Sequence, residues 1–391
     1  MDLRSPRPDS HLESLVDLFA ATFSDYWQRH AYAGGGYMTD SPYDWEASRI
    51  GTVNGEIATH FGVWDFSMRI GAAVVRLAGI GAVATAHDQR GKGLMAETAA
   101  ECVSGLSDAG YDVSLLFGIP NFYHRFGYVP CFPEVRTILD VRELPASPGL
   151  VEYEKFDGPF ADLADVYNRE NEGVTGTYVR PTYLTNRRPK KFTAYRFTDG
   201  YVVGGREGNS YQIADCAGDP EKIVEIARQR AAADLCSEIV FVFLPLRSRT
   251  GEHLRTLTHR VTSDRNRTGG PMMKIVNLER VFEKVVPALN ERLGSSALHS
   301  YSGTLAVYCD GEGVVLGISG GSIGEITPAA PNTTANGSIT AGRGLARLLI
   351  GDGDPLHVCR QSGSELDGDA RHLVPVLFPD QEPSTILWDT F

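Results

Sequence analysis

The segment V-A-T-A-H-D-Q-R-G-K-G-L-M, residues 83–95, sets Arg90, Gly91, Lys92 and Gly93 directly before a run of helical spacing. Glycines let successive backbone N–H groups approach an anion, a helix start adds the positive end of its dipole, and Arg90 and Lys92 supply point charges. Together they read as a cradle for pyrophosphate. The cradle is neither the G-x-x-x-x-G-K-[ST] loop of nucleotide hydrolases nor the G-x-G-x-x-G of dinucleotide folds, because the required glycines are missing. Further on, N-F-Y-H-R-F-G-Y, residues 121–128, puts four aromatics into eight residues. Aromatic rings belong first to cores, so Phe122, Phe126 and Tyr128 are expected there, with His124 and Arg125 on the surface. A tyrosine hydroxyl in such a cluster has a reference pKa of about 10, stays protonated at neutral pH and can donate a proton. The last residues, S-T-I-L-W-D-T-F, include Trp388 and Phe391, and two large aromatics there predict a docked end rather than a loose one.

The elements that must hold these residues follow from periodicity. Residues 57–69 and 72–85 alternate or run apolar about an Ile70-Gly71 turn, as paired strands do. Met95, Ala99, Cys102, Val103 and Leu106 form one helical stripe that stops at Gly110, and the apolar residues 113–119 follow as a buried strand. Strand, glycine loop, helix and strand make a crossover built for parallel pairing. Upstream, Leu15, Leu18, Phe19 and Phe23 predict a helix over 12–26. Beyond 145–148 the pattern restarts: L-A-D-V-Y at 163–167 echoes L-V-D-L-F at 15–19, residues 220–236 form a second amphipathic helix, and I-V-F-V-F-L at 239–244 a second buried strand. Where the first copy has R-G-K-G, the second has A-G-D-P-E-K at 217–222, whose Asp219 and Glu221 would repel a pyrophosphate. One anion cradle per chain is therefore expected, in the first copy. A third region opens near Met273, with short strands at 303–309 and 313–318 and a helix around 342–350.

The bulk numbers agree with this division. A chain of 391 residues is too long for one core. With 42% hydrophobic and 22% charged residues it reads as globular, no run approaches the length needed to span a bilayer, and the first residues lack the apolar core of a secretion signal. A cytoplasmic protein is expected. A net charge of -12 argues against nucleic acid and anionic membranes as partners and suits a cationic substrate. The six cysteines have no C-x-x-C pair and no histidine at zinc-ligand spacing, which predicts buried hydrophobes and no metal.

Strand, R-G-K-G-L, helix, strand and then F-Y-H-R-F-G-Y resembles the acetyl-CoA site of the GNAT superfamily of N-acetyltransferases, whose loop reads Q/R-x-x-G-x-G/A. Arg90 and Gly93 match its first and fourth places, and Met95 stands where glycine or alanine is usual. Over its full length the chain is similar to the enhanced intracellular survival (Eis) family. That resemblance implies an α+β fold: tandem GNAT-like mixed-sheet domains, an acetyltransferase domain over 1–148 and a degenerate copy without a CoA site over 149–271, then a sterol-carrier-like α/β domain over 272–391. It implies acetyl-CoA as co-substrate, bound by Val83, Ala84, Thr85, Arg90, Gly91, Lys92, Gly93 and Leu94, with the Val83 N–H polarising the thioester carbonyl. Tyr123 would be the general acid, the Phe391 carboxylate, threaded into the first domain, the general base, and Asp25 a contact of the amine substrate. Members that acetylate aminoglycosides have glutamate just before the last residue, where Thr390 stands here; the expected acceptor is a primary amine, aminoglycoside-like or another polyamine or lysine. The family also implies a homo-oligomer, a hexamer. The alternative function is a non-catalytic acyl-CoA or lipid binding protein that keeps the GNAT and sterol-carrier folds. A third reading is a scaffold whose copies associate, with catalysis incidental.

Overall fold

The computed structural model describes residues 1–23, 36–147, 149–182, 192–331 and 333–385. The strands in chain order are β1 (Asp2–Arg4), β2 (Arg49–Val53), β3 (Glu56–Ile70), β4 (Ala73–Thr85), β5 (Val113–Phe117), β6 (Val129–Pro130), β7 (Glu134–Asp140), β8 (Glu154–Phe156), β9 (Thr193–Phe197) and β10 (Gly200–Glu207). They continue as β11 (Ser210–Ala217), β12 (Glu238–Val242), β13 (Arg260–Asp264), β14 (Pro271–Ile275), β15 (Gly303–Cys309), β16 (Glu312–Ser319), β17 (Ser322–Pro328), β18 (Gly337–Thr340) and β19 (Glu365–Gly368). Four helices matter here: α1 (Pro8–Thr22), α2 (Leu94–Gly105), α3 (Pro220–Ala233) and α4 (Leu278–Gly294).

The described residues form three mixed sheets, in the orders β1-β2-β3-β4-β5-β14-β6, β13-β7-β12-β11-β10-β9-β8 and β17-β16-β15-β18-β19. The two crossovers anticipated from periodicity are present: β4 pairs β5 in parallel across α2, and β11 pairs β12 in parallel across α3. Sheet membership, however, does not follow the chain. β7, which precedes residue 148, pairs β12 and β13 in the second sheet, and β14, which follows the second copy, pairs β5 and β6 in the first. The first and second units thus exchange strands.

The first and third units share one apolar core. On α4, Leu278, Val281, Phe282, Val285, Ala288, Leu289 and Leu293 recur at helical spacing and are all buried. They join Val75 and Leu77 of β4 to Leu305, Leu316 and Ile318 of the third sheet in a single cluster. A buried charge fixes the register of that joint. The fully buried Asp112 carboxylate accepts from the backbone N–H of Arg76 at 2.6 Å, from Arg280 Nε at 2.8 Å and from Lys284 Nζ at 2.5 Å. A carboxylate taken out of water needs such partners, and here two of the three come from α4.

Candidate active site

The site begins where β4 parts from β5. Their parallel pairing runs from Leu77↔Val113 to Ile80↔Leu116 and then ends, so residues 81–85 continue without β5 beside them. Across the other edge, β4 pairs β3 with His60 opposite Ala84 and Gly62 opposite Gly81. Ala82 and Val83 therefore both face the single residue Phe61, which is a β-bulge. Ala82 takes a positive φ of 45°, unusual for a residue with a Cβ. Within this diverging stretch Val83 and Thr85 are half-buried and Ala84 is buried.

After β4 a 3-10 turn, His87–Gln89, leads into Arg90, Gly91, Lys92 and Gly93, all four exposed. Gly93 is the N-cap of α2 and sits in the left-handed region with φ of 81°, and no side chain caps the helix start. The first N–H groups of a twelve-residue helix thus point out of the fold beside two cations, with Leu94 half-buried at its first position. Arg90 Nε reaches Thr85 O at 3.3 Å and Lys92 Nζ reaches Gln89 Oε1 at 3.1 Å, and neither forms an ion pair among the described residues. An uncapped helix start with unpaired cations is what a pyrophosphate requires.

The second unit answers differently at the same place. There Asp219 is the N-cap of α3, and its carboxylate accepts from Glu221 N at 2.9 Å and Lys222 N at 3.3 Å. The protein's own anion already occupies the position an external anion would take.

The aromatic stretch divides as its chemistry requires. Tyr128 is fully buried and its hydroxyl bonds Ser114 Oγ at 2.7 Å, so it is core. Phe122 and Phe126 are half-buried and lie edge to face with ring centroids 5.5 Å apart, while His124 and Arg125 are exposed. Tyr123 opens a short turn, Tyr123–Phe126, and is 6% exposed. Burial alone pushes its phenol up to about 12, and its hydroxyl has no hydrogen-bond partner among the described residues. The turn is gripped from the third unit, where Arg343 Nη1 donates to His124 O at 2.5 Å.

Asp25 and Phe391 lie outside the described residues, as do Trp388 and Thr390. The chain leading to that end is described as far as Thr385, whose hydroxyl meets the buried Tyr178 hydroxyl at 3.1 Å, while Ser384 Oγ donates to Phe243 O at 3.0 Å. Tyr178 in turn packs edge to face on Phe66 of β3. Thr385 also lines a small cavity with Phe117, at the end of β5, and Pro271.

Residues 7–131 match the protein family described as an acetyltransferase (GNAT) domain. The first unit is a GNAT acetyltransferase domain. No curated protein matches the sequence. Among solved structures, the chain is similar to a GCN5-related N-acetyltransferase from Kribbella flavida, with 18% identity, a TM-score of 0.72, and 100% of this chain and 98% of that one covered. It is also similar to a GCN5-related N-acetyltransferase from Anabaena variabilis, with 15% identity, a TM-score of 0.73, and 98% and 99% covered. Eis1 from Mycobacterium abscessus is another, with 14% identity, a TM-score of 0.72 and 100% of both chains covered. At these identities the likeness is one of fold, and it extends over all three units. GNAT domains use acetyl-CoA, and in this one β4 diverges from β5 and the start of α2 carries no side-chain cap.

Two features of the GNAT domain escape a reading by periodicity. His60 lies fully buried behind the bulge, and Arg343 reaches the Tyr123 turn from more than two hundred residues away. The only signal for His60 is a lone histidine inside the otherwise apolar run I-A-T-H-F-G-V.

Proposed function

We propose that the protein transfers the acetyl group of acetyl-CoA to a primary amine, at one site per chain in the GNAT domain. The observation that carries this reading is the contrast between the two crossovers: the helix start after β4 is uncapped and flanked by Arg90 and Lys92, whereas the one after β11 is closed by Asp219. Arg90, Gly91, Lys92, Gly93 and Leu94 hold the pyrophosphate, and Val83, Ala84 and Thr85 line the pantetheine arm with their backbone groups.

The reaction needs a neutral amine, a polarised carbonyl and a proton for the departing sulfur. In this proposal the Phe391 carboxylate takes a proton from the substrate ammonium and the amine nitrogen attacks the thioester carbon. The Val83 N–H stabilises the oxyanion, and as the C–S bond breaks the Tyr123 hydroxyl gives its proton to the thiolate while the acetylated nitrogen loses its surplus proton, which restores the phenol. The unpartnered state of that hydroxyl supports its role, because nothing within the described residues competes for its proton. The course of 380–385 past Phe243 and Tyr178 toward the GNAT domain supports delivery of the C-terminal carboxylate. Asp25 would contact the cationic acceptor, a polyamine or lysine side chain suiting the net charge of -12. Copies of the chain would assemble as a homo-oligomer, as the Eis resemblance implies.

Tyr123→Phe tests the assignment. Its turnover should fall roughly 10²- to 10⁴-fold, the usual worth of a general acid, with the dissociation constant for acetyl-CoA little changed. Removing Phe391 should collapse turnover in the same way. A Tyr123→Phe enzyme with wild-type turnover contradicts the mechanism.

A further inference from the structure

His60 is fully buried on β3, and both of its ring nitrogens are engaged: Nδ1 lies 2.8 Å from Ala82 O and Nε2 lies 2.7 Å from Tyr43 Oη. The first contact fixes the tautomer. A carbonyl oxygen can only accept, so Nδ1 carries the proton and donates it; neutral Nε2 then accepts from the Tyr43 hydroxyl. Burial holds the ring neutral, with its pKa brought down to about 4. Phe19 of α1 lies edge-on at 4.8 Å and the Tyr43 ring stacks at 6.0 Å, so the imidazole has no room to turn.

The carbonyl it holds belongs to the bulge. Ala82 is the residue with φ of 45°, a conformation that costs roughly 1 kcal/mol or more without glycine and persists only when its surroundings impose it. The peptide joining Ala82 to Val83 is planar and trans, so its C=O and N–H point in opposite directions. With Ala82 O drawn toward His60, the N–H of Val83 is turned away from β3's imidazole.

We infer that His60, braced by Tyr43, is a positioning residue that locks the Ala82–Val83 peptide so that the Val83 N–H faces the thioester carbonyl of acetyl-CoA. The inference rests on the reading of Val83 as the polarising donor given above. It also explains a buried polar choice that packing alone does not need: an aliphatic residue would fill the space among Phe19 and Tyr43, but only a donor in this place can hold the strained carbonyl. Without that donor the bulge peptide loses the bond that selects its orientation, and an oxyanion donor is useful only when preorganised.

Two substitutions separate positioning from packing. In His60→Asn the side-chain amide N–H falls near the place of Nδ1 and keeps the bond to Ala82 O. In His60→Gln the amide reaches the place of Nε2, keeps Tyr43 and drops Ala82. The Gln variant should lose roughly 10- to 100-fold in kcat, the Asn variant should recover most of it, and both should bind CoA within about threefold of wild type. The second readout is the infrared band of the thioester carbonyl in bound acetyl-CoA labelled with 13C at that carbon, recorded without amine. In the wild-type enzyme the band should lie below that of free acetyl-CoA; it should stay low in His60→Asn and return toward the free value in His60→Gln. Equal kcat in the two variants, or a band that stays low in both, overturns the role of His60. A wild-type band unshifted from free acetyl-CoA instead overturns the reading of Val83 on which it depends. Should one substitution fail to fold, Tyr43→Phe replaces it, since it removes only the brace and is expected to lower kcat less than His60→Gln while leaving the band partly shifted.

Discussion

The ring of Tyr123 is buried and its hydroxyl makes no hydrogen bond among the described residues, while that of Tyr128, five residues on, is tied to Ser114. Both are tyrosines of one aromatic cluster, and the proposed general acid is the one whose hydroxyl is left without a partner among the described residues. His60 shows the complementary arrangement, a titratable ring with both nitrogens spent inside the fold. Its burial has a consequence for stability. In the unfolded chain a histidine titrates near 6.5, whereas in the fold His60 titrates near 4, so between these values the unfolded state binds a proton that the native state refuses. Stability that is fully present above about pH 6.5 is therefore lost as pH falls toward 4, by at most about 1.4 kcal/mol per pH unit from this one group. Denaturant midpoints at pH 7, 5.5 and 4.5 should show that loss in the wild-type protein and a shallower one in His60→Asn; parallel slopes contradict it. The burial of the aromatic stretch around Tyr123 was legible in the sequence because aromatic rings belong first to cores, whereas the role proposed for its hydroxyl came only from the family resemblance. His60 was not legible, because alternation along a strand says which face a residue occupies but not which carbonyl it meets.

At the level of elements, the two crossovers are the same device with opposite endings. The start of α2 presents open N–H groups behind Gly93, and the start of α3 is filled by Asp219. Lys92→Glu should weaken acetyl-CoA binding roughly tenfold, and more at low ionic strength, since the lost attraction lies at an exposed helix start. Asp219→Ala should cost about 1 kcal/mol of stability through the lost cap and leave the stoichiometry at one acetyl-CoA per chain. Calorimetric titration reads both; a second equivalent bound by the Asp219→Ala protein would show that the cap alone closes that site. Strand, loop, helix and strand could be read locally in both copies because hydrophobic period and glycine placement are local signals. The pairings of β7 with β12 and of β14 with β5 could not, because they join residues far apart in sequence and leave no periodic trace. The bulge at Ala82 and Val83 was equally hidden, being a two-against-one register that appears only when both strands are present.

Across the molecule, the units are bound into one another rather than strung in series. β14 completes the first sheet, α4 carries one core from the first unit into the third, and Asp112 gathers Arg280 and Lys284 onto the first unit's crossover. Arg343 grips the turn that bears Tyr123 and also approaches Asp310 at 3.7 Å, and Thr385 meets Tyr178, so the third unit touches the other two through side chains as well as through α4. Such a joint ties the third unit structurally to the GNAT domain. The most direct test of this account is thiol release from acetyl-CoA by the wild-type protein across a panel of amines that includes aminoglycosides, polyamines and lysine peptides. Release should depend on the amine, saturate with it and yield the acetylated amine in equal amount; acetyl-CoA bound but not consumed, or hydrolysed at a rate indifferent to every amine, contradicts acetyl transfer to an amine.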